Sequence, residues 1–489
     1  MSEFPTVFVS AYRNFSIRYI LYSGILDQLK KQKVRIVVFV KDNDVEYYRR
    51  HLGGENIIFE PVLFEKARRQ LKSNQLGNLF VLIRKCMSGA EDGYQNTTDQ
   101  ARIYQYGKEL SATLQGRIKF QLVKALAMLG KKVRAVRKGL VRIESSLFPG
   151  KLYDRYFDEY SPQMLIVSSL GYMIDPFLMR AAKRRRCRVI SIVHSWDNPT
   201  TKDYRGAEPD HVITWNEIMK REVNVFHDLP NDRISVGGIA HWDFYFNGSF
   251  KPRSKEEFLD SNSLTRDRKL IFYATSNFVL FRRTFDVIEQ LLSLMENGSL
   301  GFSSQLLVRL HPGYLLRERG RDGQVIDRYK ARMDALKERY GALVQFTLPM
   351  MTVLNDDIDM PPEDMYYLAE TLYHSDVVLT EYSTLMIEAS IFDVPVINVG
   401  LYNFRDTEKP ASFLENYTHI KRVLKPGASR NAYSMEDLKK YIEEYLGDRS
   451  IDRDKRKRLV DQEITTNRGC ASTVIGNMLV RLVAADRPT

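Results

Sequence analysis

Residues 376–400 read DVVLTEYSTLMIEASIFDVPVINVG. Val377, Val378 and Leu379 form the short apolar run expected of a parallel strand buried on both faces. Ser383 and Thr384 follow at once, and either suits the cap of a helix whose apolar face is Leu385, Met386, Ala389 and Phe392. Asp393 and Pro395 end that helix, and Val396–Val399 form the next strand. The pattern is one βαβ crossover, with its ligand-binding edge in the loop at the carboxyl end of the first strand. Unpaired N–H groups at a helix start, beside the Ser383 and Thr384 hydroxyls, suit a phosphate. Glu388, one turn after Thr384, is placed to accept hydrogen bonds from a ribose diol. The same residues also suit an ordinary capped helix with a solvated glutamate.

Strand–loop–helix alternation recurs on both sides of this stretch. Strands are predicted over 6–10, 34–40, 56–62, 164–168, 188–193, 210–215 and 234–238, then over 270–274, 306–310 and 344–347. Helices are predicted over 17–30, 176–185, 217–226, 325–340 and 361–373, with terminal helices over 434–446 and 451–483. Residues 247–268 are polar, charged and weakly periodic, and read as a linker. The predicted organisation is an N-terminal domain over 1–246, the linker 247–268, a C-terminal domain over 269–430 and C-terminal helices over 431–489. A largely helical insertion of about 67–155 interrupts the first domain. Within it, Leu110 to Ile143 carries no acidic residue. That stretch reads as a basic amphipathic helix able to lie on an anionic membrane surface.

The totals narrow the function classes. A chain of 489 residues with 44% hydrophobic and 27% charged residues is an ordinary globular composition of two or three domains. The absence of a long apolar run argues against a spanning helix, and the start MSEFPTVFVSAYRN is not a secretory leader. Three scattered cysteines, Cys86, Cys187 and Cys470, make neither a disulfide framework nor a zinc pattern. A cytoplasmic protein is expected, attached peripherally to the inner face of the plasma membrane if the basic insertion binds there. A net charge of +12 points to an anionic partner, but no nucleic-acid-binding pattern is present. No G-x-S-x-G or H-E-x-x-H occurs. Asp357-Ile358-Asp359 has metal-ligand spacing but an acidic-loop setting, so no metal site is expected.

The loops at strand ends hold the remaining candidates. Arg13 follows the first strand. His194, Ser195, Trp196, Asp197 and Lys202 follow the strand ending at Val193, and His241, Trp242 and Asp243 follow the strand ending at Gly238. Arg309, His311, Pro312 and Gly313 close the strand over 306–310.

Four segments together resemble the CDP-glycerol glycerophosphotransferase family and, more broadly, the GT-B glycosyltransferases of bacterial surface-polymer assembly. EYSTLMIEA at 381–389 resembles its D-Y-S-S-x-x-x-[DE] element, and RLHPG at 309–313 its strand-end His-Pro. SWDNPTTK at 195–202 is similar in placement to W-H-G-T-P-x-K, and VGGIAHWDFY at 236–245 to G-x-P-R-x-D. Their order and spacing match over roughly residues 160–400. Two departures stand out: Asp197 replaces a basic histidine and His241 an arginine, while Asp243 is kept. They favour a sugar donor over CDP-glycerol.

The resemblance implies an α/β fold of two doubly wound Rossmann-like domains facing a central cleft. It implies a metal-independent transferase with no cofactor, moving a sugar from a nucleotide-activated donor to a lipid-linked or polysaccharide acceptor. In that reading His311, Ser383, Thr384, Arg309 and Lys202 hold donor phosphates and Glu388 the ribose. Asp197, with His194 second, is the general base, and Arg13 and Asp243 face the acceptor. A CDP-polyol phosphotransferase, a non-hydrolysing nucleotide-sugar epimerase and a non-catalytic membrane-associated scaffold remain as alternatives.

Overall fold

A computed structural model of the chain describes residues 4–316, 324–355, 357–404 and 409–484. These residues form two units. One takes in the chain up to Asn247, together with Val353–Asp359 and the segment from Ile464 onward; the other is Gly248–Thr352 with Met360–Glu463.

The first unit is built on seven strands: β1 (Thr6–Ser10), β2 (Arg35–Val40), β3 (Ile57–Pro61), β4 (Met164–Val167), β5 (Arg188–Ile192), β6 (His211–Thr214) and β7 (Ile234–Val236). They lie in the order β3-β2-β1-β4-β5-β6-β7, all parallel. The second unit has six: β8 (Lys269–Ala274), β9 (Ser304–Arg309), β10 (Val344–Thr347), β11 (Val377–Thr380), β12 (Val396–Val399) and β13 (Ser429–Ala432). Their order is β10-β9-β8-β11-β12-β13, again all parallel. Helices cover both faces of a doubly wound sheet, which is why the central strands carry consecutive apolar residues rather than alternate ones. Val7, Phe8 and Val9, and likewise Val377, Val378 and Leu379, are wholly buried. The strand order reverses between β1 and β4 in one sheet and between β8 and β11 in the other. In open parallel sheets that switch point is where ligands bind.

Several expectations change in detail. The helix predicted over 17–30 is a π-helical turn, Ile17–Leu21, and a separate helix, Ile25–Lys30. Gly24 between them has φ +87°, a left-handed conformation that glycine adopts without steric cost. The predicted helix over 451–483 is two helices, Arg453–Glu463 and Ala471–Ala484. The break holds Asn467 and Gly469, both at positive φ. The stretch read as a linker contains the helix Lys255–Ser261, closed at its start by a capping box between Ser254 and Glu257. Beside it the Arg253 guanidinium grips Glu370 through both carboxylate oxygens. The helix Thr284–Glu296 and the edge strand β13 were not anticipated.

The Asp-x-Asp spacing at 357–359 has a structural explanation within the first unit. Asp359, 2% exposed, accepts hydrogen bonds from the Tyr22, Tyr47 and Tyr48 hydroxyls at 2.8–3.2 Å. Asp357 pairs with Lys41 at 2.9 Å, and Asn14 donates to the Ile358 carbonyl at 2.9 Å.

Asp243 also serves the fold. One carboxylate oxygen accepts from the Ala471 N–H at 2.8 Å, and the other from the Ser472 N–H at 2.8 Å and the Ser472 hydroxyl at 2.6 Å. The carboxylate thus satisfies the orphan donors and positive end of helix Ala471–Ala484. Asp243→Ala leaves those donors unpaired. Chemical denaturation is expected to show a loss of about 2 kcal/mol, against a smaller loss for Asp243→Asn, which keeps an acceptor.

Candidate functional site at the sheet switch points

In the second unit the switch point is organised by Glu381, the residue directly after β11. Its side chain is 3% exposed. One carboxyl oxygen meets the Tyr273 and Thr284 hydroxyls, each at 2.8 Å, and the other accepts from the Ser276 N–H at 2.7 Å. Its backbone carbonyl accepts from the Ser276 hydroxyl at 2.9 Å. Glu381 therefore ties the end of β11 to the end of β8 and to the start of helix Thr284–Glu296. No role was anticipated for it, although it opens the EYST segment. The available signal was a charged residue at the end of the apolar run Val377–Leu379, one residue beyond Thr380.

Tyr382 comes next and holds φ +52°. A bulky residue in the left-handed region is strained, and such strain persists only where the surroundings hold it. Here the Tyr382 N–H points to the Asn398 amide oxygen at 3.3 Å and its hydroxyl donates to Glu415 at 2.6 Å. The turn turns the chain sharply from strand into the helix Leu385–Ile391. Ser383 accepts from the Leu385 N–H at 3.3 Å and shares a 2.7 Å hydrogen bond with Thr380. Thr384 stands at the N-cap position but makes no side-chain cap, so of the two hydroxyls predicted to cap the helix, Ser383 takes that part. Glu388 sits one turn in, buried, with its N–H on the Thr384 carbonyl.

His311 adjoins this cluster. Its backbone N–H donates to the Thr275 hydroxyl at 3.0 Å, one residue from the Ser276 that binds Glu381. Its ring Nδ1 accepts from the Gly313 N–H at 2.9 Å. An imidazole whose Nδ1 is an acceptor is neutral and carries its proton on Nε2. Burial lowers its pKa to about 4, in the same direction. The ring therefore offers a phosphate a neutral N–H donor. Gly313 is needed here, since a Cβ would come within 2.9 Å of His311 Nδ1 and 3.0 Å of the Asn277 amide. Arg309 lies apart from the loop. It is buried and pairs with Asp364 at 2.6 Å.

The switch point of the first unit gathers Arg13, Asp175, His194, Asp197 and Lys202. The Arg13 guanidinium lies over the Tyr172 ring at 4.5 Å. Asp175, fully buried, accepts from the Ser10 and Ser169 hydroxyls at 2.9 and 2.5 Å. Burial pushes its carboxyl up, and Arg13 pulls it back. His194 is buried with Nδ1 against the Ser168 carbonyl, so that nitrogen holds the proton and Nε2 is left as acceptor. Burial first, then the nearby Arg13 cation, lowers its pKa to about 3. Asp197 accepts from Ser195 at 2.5 Å and from Thr201, and Lys202 Nζ lies 3.3 Å away. Its carboxylate organises its own turn. His241 packs among the rings of Tyr19, Trp215 and Trp242 at 5.2–5.6 Å. Burial there holds it neutral.

Glu381 gives a test by titration. Burial raises its carboxyl pKa to about 7 from an ordinary 4.5, opposed by its hydrogen-bond donors. The Thr284 hydroxyl also lies 2.9 Å from the Phe281 carbonyl. Its single proton cannot serve both acceptors, which suits a carboxyl that keeps its own. The folded state therefore holds an extra proton between the two pKa values. The stabilisation is complete below the unfolded value and is lost as pH rises through the folded one, on the order of 3 kcal/mol in all. Glu381→Gln mimics the protonated form, and its thermal midpoint is expected to vary less with pH across this window than that of wild type. An equal slope in both proteins would remove Glu381 as its source.

No family model and no curated protein matches the sequence. Solved structures do resemble the fold. A putative UDP-N-acetylglucosamine 2-epimerase from Listeria monocytogenes aligns over 100% of this chain and 98% of its own, at 10% identity and a TM-score of 0.51. The UDP-GlcNAc 2-epimerase from Neisseria meningitidis, solved bound to UDP-GlcNAc, aligns over 98% of this chain and 100% of its own, also at 10% identity and 0.51. The wall teichoic acid polymerase TagF aligns over 99% of this chain and 90% of its own, at 12% identity and 0.50. With its seven- and six-stranded parallel sheets, each reversing strand order at a switch point, the chain has the two-unit α/β fold of the GT-B enzymes.

Proposed function

We propose that the chain is a nucleotide-sugar enzyme, a metal-independent glycosyltransferase that passes a sugar to a lipid-linked or polysaccharide acceptor in bacterial cell-surface glycan assembly. The observation that carries this reading is the switch point of the second unit, where His311, Ser383 and the strained Tyr382 turn adjoin through the Glu381 hydrogen bonds. A nucleoside diphosphate suits those groups. The neutral His311 ring donates through Nε2, the Ser383 and Thr384 hydroxyls donate beside it, and Glu388 takes the ribose diol. Neutral donors stabilise a leaving diphosphate without themselves changing charge during the reaction.

For the acceptor hydroxyl we place His194 ahead of Asp197 as proton acceptor. Its tautomer is fixed by the Ser168 carbonyl and its Nε2 is free of the proton, whereas Asp197 already accepts from Ser195, Thr201 and Lys202. A substrate that draws the charge of Arg13 away would raise the basicity of His194. Lys202 and Arg13 are the cations that an acidic group on either substrate would meet in the first unit.

A second reading, epimerisation without a second substrate, is favoured by the two epimerases that align over nearly the whole chain. Two measurements separate these readings. Thermal-shift titration of wild type and Glu388→Ala with CMP, CDP, UDP, GDP and TDP is expected to single out one nucleotide, which at a hundred times its Kd stabilises the wild type by about 2.7 kcal/mol. Glu388→Ala is expected to lose that shift, and His311→Ala to weaken binding by roughly tenfold. No shift with any nucleotide would overturn the proposal. Incubation with the sugar nucleotide alone then decides the reaction: formation of an epimeric sugar nucleotide without acceptor means epimerisation, and release of nucleotide with glycosylation of an added glycan acceptor means transfer.

A further inference from the structure

Helix Leu114–Lys132 is apolar on two sides, and the fold uses one of them. On the inner side Val123, Ala127 and Gly130 are buried, and Val123 and Ala127 join a cluster with Ile83, Met87 and Val141. The contact at Gly130 is close enough that a Cβ would collide with the Met87 sulfur. On the outer side Leu114, Ile118, Leu122, Met128 and Leu129 are exposed, Leu114 and Ile118 by 74% and 65%. At 100° per residue they form one continuous stripe. Of the 19 large hydrophobic residues exposed among the described residues, eight lie between Leu114 and Leu147. Scattered exposed leucines need no explanation, but a concentrated stripe does.

Charge frames the stripe. Arg117 and Lys124 border it on one side and Lys119 on the other, with Lys132 at its end, all exposed. No acidic residue occurs from Leu110 to Ile143. No helix among the described residues is long and apolar enough to cross a membrane.

We propose that this outer face docks on an anionic lipid bilayer, lying in the plane of the interface. The leucines would enter the acyl boundary while the bordering Lys and Arg reach the headgroup phosphates. A second copy of the chain fits the face less well, because a two-fold contact would set cations against cations. The proposal stands apart from the enzymatic reading and needs no activity for its test.

The test is co-sedimentation of the full chain with phosphatidylcholine vesicles, with and without phosphatidylglycerol. Wild type is expected to bind the anionic vesicles roughly tenfold or more better than the neutral ones, with salt weakening the binding. The variant Leu114→Glu/Ile118→Glu/Leu122→Glu is expected to lose binding while keeping its thermal midpoint, since these side chains contact solvent. A second variant, Lys119→Glu/Lys124→Glu, leaves the apolar stripe whole and is expected to lose the preference for anionic lipid. Equal binding by wild type and the triple variant would overturn the proposal. So would wild type that binds no vesicle, or that forms a dimer which the triple variant dissolves.

Discussion

The second unit depends on one buried carboxyl group. A parallel sheet delivers all its strand ends to one edge, and there the chain must turn away from β8 and β11 in opposite directions. That divergence opens the switch point and leaves backbone donors without strand partners. Glu381 fills it, satisfying the Ser276 N–H and meeting two hydroxyls with a single side chain. Such a group is stable only when its oxygens are fully matched. The matching fixes the separation of the two loops that His311 and Ser383 stand on. The φ of Tyr382 is held by the same framework, by Asn398 on β12 and by Glu415.

Much of this was legible in the sequence. Apolar runs without alternation located the parallel strands, and the polar clusters after them located the loops, because strand burial leaves only those ends free for chemistry. Strand order was not legible, since it depends on which crossover packs on which face. Side-chain roles were read less well than side-chain positions. Asp243 and Arg309 lie at strand ends as expected, yet each is engaged by a partner far along the chain, a helix start at Ala471 and the Asp364 carboxylate. The tautomer of His311 was not legible either, since it is set by the Gly313 N–H that its Nδ1 accepts. Glu381 had no visible partner because Tyr273, Ser276 and Thr284 lie about a hundred residues upstream.

The helical insertion shows how a foreign segment is made part of a Rossmann-like unit. Glu144 on helix Arg134–Leu147 accepts from Arg84 at 2.8 Å and from Arg180, on the sheet-covering helix Asp175–Arg184, at 2.9 Å. All three side chains are nearly inaccessible. A buried triad of this kind adds little net stability over an apolar cluster, but it punishes any arrangement that leaves one member unpaired. Arg137 with Asp228 repeats the device at 2.6 Å. The insertion is thereby held in one orientation, and its outer helix face is a fixed feature of the surface.

The capping of helix Ala471–Ala484 by Asp243 has a consequence for biosynthesis. The first unit owns residues at both extremes of the sequence, with the second unit's chain intervening. Translation proceeds at roughly 5–20 residues per second, so β1–β7 emerge and wait tens of seconds for the helix that covers Gly24, Gly237 and Asp243. During that wait the second unit, contiguous but for one short excursion, can fold first. The nascent chain then resembles an unclosed clasp, and Asp243, a buried acid with no donors yet, is the point at which it finally shuts.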